Sequence, residues 1–350
     1  MTQPTWGYPG GRGWAPAQGR AWGTPTPPRR RRNPFAGAIR VVLVVVAILF
    51  AASTVRGMLS DGDTAGTGEP GQPVTPGGSV VGYRNEDYTP PPPDLNPPGV
   101  PGPRDLAAAR SLVADNPVYA ESIPAPTNCA MGSLNMATAS APAMERHFNE
   151  LMGCLMAVYD GPVTDAGFQM PRPPVTVYTQ PIRTACGDFD DVNAAYCTAD
   201  QRVYYAAPLL DAFPARVAGA TYAAEMILAH EFGHAVQART AILISGKVLE
   251  DRAASEDAAS EMSRRTEVQA DCLAGLYVRS VAQSQGLTAA DLDGLTRLAN
   301  NLGDDVLSGR PGFSGDHGTG DARQAWFARG LATDAIETCN TFTAGSAQVR

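Results

Sequence analysis

Two histidines and a glutamate stand close together in YAAEMILAHEFGHAVQAR, residues 222–239: His230, Glu231 and His234. Imidazole nitrogen and carboxylate oxygen are the donors preferred by a borderline divalent ion such as zinc. Small and apolar residues dominate the segment, which includes no proline, so it reads as a helix. Residues four apart on a helix share a face, which lets both imidazoles reach one ion. Glu231 is offset by one position and reaches water at an open coordination position instead of the ion. Three such side chains facing a core would be costly without a partner such as a metal. The chemistry implied is metal-assisted hydrolysis. Zinc lowers the pKa of water to about 7, and Glu231, as general base, takes its proton during attack on an amide carbonyl. Glu231 then returns the proton to the leaving nitrogen.

An open hydrolytic site needs a third protein ligand. Residues 258–284, AASEMSRRTEVQADCLAGLYVRSVAQS, form another helical stretch, ended by Gly286, on which Glu267 and Asp271 lie four apart and share a face. This Glu-x-x-x-Asp arrangement resembles that of thermolysin-like zincins. The resemblance implies Glu267 as third ligand and Asp271 as the second-shell carboxylate that orients a ligand histidine. A histidine-type third ligand would need Gly at 237 and His at 240, where this chain has Gln237 and Thr240. His317, in a Gly-rich loop, is the other candidate ligand. It is also the candidate catalytic oxyanion donor beside the metal, with Tyr204 or Tyr205 behind it. The plainer readings stay open: Glu267 and Asp271 as solvated helix charges, and His317 as a loop-stabilising hydrogen bond.

These residues need a frame. The strand candidates are PVTVYT (174–179) and RVYYA (202–206), short and rich in β-branched or aromatic residues. Thr319 to Leu331 reads as a further helix, with Trp326 and Phe327 as core. The expected fold is an α+β zincin-like domain over residues 104–350, with the helices of His230 and Glu267 packed about the metal. All six cysteines, Cys129, Cys154, Cys186, Cys197, Cys272 and Cys339, fall in that part, and none forms a CxxC pair. An even count in an exported domain suggests disulfides. Among the pairings open, Cys129–Cys154 and Cys186–Cys197 are favoured as local loops, and Cys272–Cys339 follows by elimination.

Upstream the composition changes. Residues 1–34, rich in Trp, Gly and Pro, read as a disordered cytoplasmic tail. Residues 35–55, FAGAIRVVLVVVAILFAASTV, are 21 mostly apolar residues behind Arg29 to Arg32, and they read as one transmembrane helix, the alternative being a signal peptide cut at Ala51-Ala52-Ser53. The positive-inside rule places the N-terminus in the cytoplasm and the rest outside, so the protein is expected in the cell membrane as a single-pass protein. Residues 56–103, with Pro90 to Pro93, read as an extracytoplasmic spacer. The part from 104 onward carries 29 acidic and 18 basic residues, which argues against a nucleic-acid partner.

The segments TACG (184–187), YCTADQRVYY (196–205), ILAHEFGHAVQ (227–237), EVQADCLAGLY (267–277), LGDDVL (302–307), HGTGDARQAWFARG (317–330) and CNTF (339–342) resemble, in order and spacing, the bacterial neutral zinc metallopeptidase family, many of whose members are membrane-anchored. Coverage runs from about residue 170 to 342, and more loosely from 104. The resemblance implies Zn²⁺ as cofactor, His230, His234 and Glu267 as its ligands, Glu231 as base, and a Cys186–Cys197 loop. Asp316 stands where the family usually has threonine. The expected function is a zinc peptidase acting on proteins or peptides in the cell envelope. The alternatives are an inactive, metal-stabilised binding module there, which would not need Glu231, and recruitment of a cytoplasmic partner by the N-terminal tail.

Overall fold

The structure is a computed structural model that describes residues 82–189 and 192–350. The helices are α1 (Leu106–Ala114), α2 (Ala141–Asp165), α3 (Ala215–Ala218), α4 (Ala223–Arg239), α5 (Ile242–Asp251), α6 (Glu256–Val281), α7 (Ala289–Asn301), α8 (Asp304–Ser308) and α9 (Gly320–Leu331). Two small sheets sit between α2 and α3, which makes the domain α+β and mostly helical. Strand β1 (Val175–Tyr178) runs parallel to β5 (Arg202–Ala206), and β5 pairs antiparallel with the edge strand β4 (Ala194–Cys197). Strands β2 (Ile182–Thr184) and β3 (Gly187–Phe189) form a separate ribbon.

Helix α4 is buried on nearly every face, which is why its sequence shows no polar stripe. It rests on α2, β4 and α6. At the crossing with α6, a Cβ on Gly233 would stand 3.1 Å from the Ala270 Cα, so the glycine between the two histidines lets the helices approach closely. A second close crossing joins α6 to α9, where a Cβ on Gly275 would strike the Phe327 carbonyl and one on Gly330 the Cys272 carbonyl. Trp326 and Phe327 are buried there. Side-chain caps start α6 (Ser255, to Ala258 N) and α9 (Thr319, to Ala322 N), and a Thr288–Asp291 capping box starts α7.

Disulfides join Cys129 to Cys154, Cys186 to Cys197 and Cys272 to Cys339. Three disulfides in one domain fit an oxidising, extracytoplasmic compartment. No helix among the described residues is long and apolar enough to cross a membrane. The apolar run 35–55 and the tail before it lie outside the described residues.

The stretch read as the end of a free spacer is part of the domain surface. Tyr88 Oη donates to Asp160, Asp94 N to the Arg172 carbonyl, and Arg172 Nη1 to the Pro91 carbonyl. Gln201 and Arg239 both donate to the Pro98 carbonyl. An extended proline-rich segment makes few internal backbone hydrogen bonds, which leaves its carbonyls free for outside donors. Composition alone does not show those donors, because Arg172, Gln201 and Arg239 come from distant parts of the chain.

Candidate metal centre

Helices α4 and α6 supply the donors. Their crossing at Gly233 and Ala270 brings His230, His234 and Glu267 together, with one ligand atom from each within 4.8 Å of the others. His230 Nε2 is 3.3 Å from Glu267 Oε2, and His234 Nε2 is 3.6 Å from Glu267 Oε1. Donors about 2.0–2.1 Å from one tetrahedral zinc stand roughly 3.3–3.4 Å apart, so this triangle is of the right size.

The outer nitrogens of both rings are already engaged. His230 Nδ1 lies 2.9 Å from Asp271 Oδ1, which requires the proton on Nδ1 and leaves the Nε2 lone pair toward Glu267. Asp271 is fully buried and is held in turn by Arg323, whose Nε and Nη2 donate to its two oxygens at 2.8 Å each. This is a two-pronged pairing suited to a planar guanidinium. Arg323 also donates from Nη1 to the Leu302 carbonyl. His234 Nδ1 lies 2.8 Å from Gln237 Oε1. The orientation of that amide follows from its other side: Nε2 donates to the Thr266 carbonyl and to Gln269 Oε1, so only the oxygen can face His234. His234 therefore also carries its proton on Nδ1.

The electrostatics follow from burial and neighbours. Without a metal, burial disfavours the His230 imidazolium, but the Asp271 and Glu267 carboxylates outweigh it and push its pKa up to about 10. Burial works against ionised Glu267, yet His234 and His230 hold its carboxyl well below the usual range. Asp271 is likewise lowered, with burial opposed by Arg323 and His230. A bound zinc would displace the proton from His230 Nε2, and the donor set would then be two neutral imidazoles and one ionised carboxylate, which suits zinc.

Glu231 lies in the same pocket without joining the ligand triangle. Its Oε2 accepts from the backbone N–H of Tyr196 on β4, at 2.8 Å. The pocket holds about 510 Å³, and its other walls are largely apolar, including Leu209, Phe213, Ile227, Leu243 and Leu302. Val192 and Leu307 stand exposed in the lining.

His317 reaches this pocket from the loop before α9 and remains largely exposed. Its Nδ1 is 3.2 Å from Asp304 Oδ1, while Asp304 Oδ2 accepts the backbone N–H groups of His317 and Gly318. Asp305 accepts from Gly320 N, so the LGDD and HGTG segments are two halves of one loop clamp. The bond to Asp304 raises the His317 pKa. His317 is outside the ligand triangle, whose third member is Glu267. The hydroxyls of Tyr204 and Tyr205 do not reach the pocket. Both sit on the central strand β5 behind β4, with Tyr204 bonded to Asp200 at 2.6 Å and Tyr205 in the core. Three partners went unread in the sequence: Gln237, Arg323 and Asp304. Gln237 left a signal, a polar side chain one turn beyond His234 on an otherwise buried helix.

Residues 125–342 match the family described as "Putative neutral zinc metallopeptidase". The chain is 34% identical over 178 residues to the uncharacterized protein YpfJ of Escherichia coli (strain K12), covering 49% of this chain and 62% of that protein. It is 29% identical over 191 residues to the uncharacterized protein Rv2575 of Mycobacterium tuberculosis, covering 49% of this chain and 63% of that protein. The chain thus spans less than two thirds of the length of these curated relatives. No solved structure gives a significant match.

Proposed function

Because this chain belongs to the neutral zinc metallopeptidase family, we propose that it is a zincin-like peptidase that hydrolyses peptide bonds in polypeptides of the cell envelope. The observation that carries the reading is the convergence of His230, His234 and Glu267 in one pocket with a fourth, non-ligating carboxylate, Glu231. The first three would hold zinc. When bound, the ion supplies Lewis-acid polarisation of the carbonyl and activation of water.

The chain's own groups do the rest. Glu231, steered by the Tyr196 N–H, accepts the proton of the attacking water and passes it to the leaving nitrogen. His317, its ring fixed by Asp304, donates a hydrogen bond to the oxygen that gains negative charge. The edge strand β4 borders the pocket and can align an extended polypeptide by backbone pairing. A purely structural metal site has no use for Glu231, which weighs against an inactive module. The three disulfides and the run 35–55 support a domain held outside the cytoplasm by an N-terminal membrane anchor.

The test is Glu231→Gln in the full chain, with zinc content and cleavage of a mixed peptide library read together. Zinc should stay at the wild-type level while cleavage falls below a hundredth. Wild-type protein that holds zinc and cuts nothing would refute the peptidase reading.

A further inference from the structure

A second cavity, of about 1030 Å³, adjoins the metal pocket, and Phe213 belongs to the walls of both. Its floor includes the first turn of α4, where Glu225 lies six residues before Glu231, about 9 Å along the helix axis. The Glu225 carboxylate is buried, and one oxygen meets His147 Nε2 at 2.7 Å. Neither residue has a part in the chemistry above. Met131, Leu134, Met136 and Met144 form a flexible apolar wall, and Asp211 stands exposed in the lining. The described lining residues thus hold two carboxylates, one imidazole, and no lysine or arginine.

His147 meets one Glu225 oxygen, and among the described residues no donor meets the other; an apolar ligand alone would leave that oxygen without a partner, which a cation supplies. A lysine or arginine side chain suits both features. Its methylene stem can lie along the methionine wall, and its charged end can make a charge-assisted bond to Glu225. The acidic balance of the domain favours cationic partners in the same way. An extended polypeptide rises about 3.3 Å per residue, so the axial offset of about 9 Å alone corresponds to about three residues, and the two carboxylates also lie on different faces of α4. We infer that this cavity is a subsite of the substrate cleft that takes a lysine or arginine side chain at least about three residues from the bond cleaved, with Glu225 as its counter-charge. This rests on the peptidase reading and adds a substrate class to it.

The test measures binding, so that it stands apart from hydrolysis. Fluorescent dodecapeptides, each with one lysine or its neutral isostere norleucine at a shifting position, are titrated against zinc-loaded full-length Glu231→Gln protein. At one or two placements lysine should bind at least about tenfold tighter than norleucine, as expected for a hydrogen bond to a charged group. The preference should vanish in Glu231→Gln/Glu225→Gln. Equal binding at every placement, no binding by any peptide, or a preference that survives the loss of Glu225 overturns the inference. Should the double variant fail to hold zinc, Asp211→Asn carries the test, because that side chain is exposed. The preference should then fall about two- to threefold, the scale of an exposed ion pair, and an unchanged preference is the contrary result. A wild type that cuts no peptide refutes the peptidase reading whatever these titrations give.

Discussion

At the level of single residues, metal binding turns on the groups that fix the ligands. Asp271 holds His230 Nδ1, and Gln237 holds His234 Nδ1. Losing such a partner costs about 10- to 100-fold in metal affinity or activity. Asp271→Asn should therefore lower zinc affinity or peptidase activity by that factor in a folded protein, while Glu267→Gln is far worse. Glu261 is a poor control for such work, because it accepts from Arg265 and Ser346 and ties α6 to the C-terminal segment. The exposed Asp293 serves better, and Asp293→Asn should be silent in zinc titration. A second prediction concerns His317, whose pKa Asp304 raises. As a donor His317 works best protonated, so kcat/KM should decline at alkaline pH as that proton is lost. Asp304→Asn removes the raising charge, so the decline should begin at lower pH. His317→Ala should retain zinc and lower kcat about 100-fold, as loss of an oxyanion donor does. A pH profile unmoved by Asp304→Asn would remove His317 from the mechanism.

At the scale of elements, the site depends on how closely three helices approach. Gly233 sets the α4–α6 crossing, and Gly275 with Gly330 sets α6 against α9, which carries Arg323 to Asp271. A methyl group at 275 would meet the Phe327 carbonyl, which cannot rotate away as a side chain could. Overpacking of this kind costs about 1–3 kcal/mol and occasionally more. Gly275→Ala should lower thermal stability by at least that much and loosen zinc, whereas Gly294→Ala, with only side-chain atoms at 3.6 Å or more, should do neither. This level was half legible in advance. The helices of His230 and Glu267 and the strands at 175–178 and 202–206 follow from apolar runs and β-branched residues, which are local signals. Gln237, one turn beyond His234, left a local signal, whereas Arg323 and Asp304 did not. Each of those two is an ordinary polar residue until the fold sets it beside a histidine or carboxylate 13 to 52 positions away. Tyr204 and Tyr205 lie on β5, and only the fold shows that β4, not β5, borders the pocket.

At the scale of the whole molecule, the acidic, disulfide-linked domain and the basic, apolar N-terminal segment imply different surroundings. The proline-rich segment at 88–103 is bonded to the domain through Arg172, Gln201 and Arg239, so a domain cut at residue 104 would leave those donors without their carbonyls. Truncation at residue 82 should accordingly give a more stable protein than truncation at 104, by thermal unfolding. Four arginines before the run 35–55 predict an inward N-terminus. A reporter active only outside the cytoplasm should be active when fused after residue 350, and an inactive reporter there would refute the orientation.

Elemental analysis of the full chain purified without added metal shows whether His230, His234 and Glu267 hold one zinc. The account predicts about one zinc per chain in the wild type and in Glu231→Gln, and less than about a tenth of that in His230→Ala, because a three-ligand site that loses an imidazole can no longer close around the ion. Substoichiometric zinc in the wild type that does not rise when zinc is supplied, or full zinc retained by His230→Ala, would contradict it.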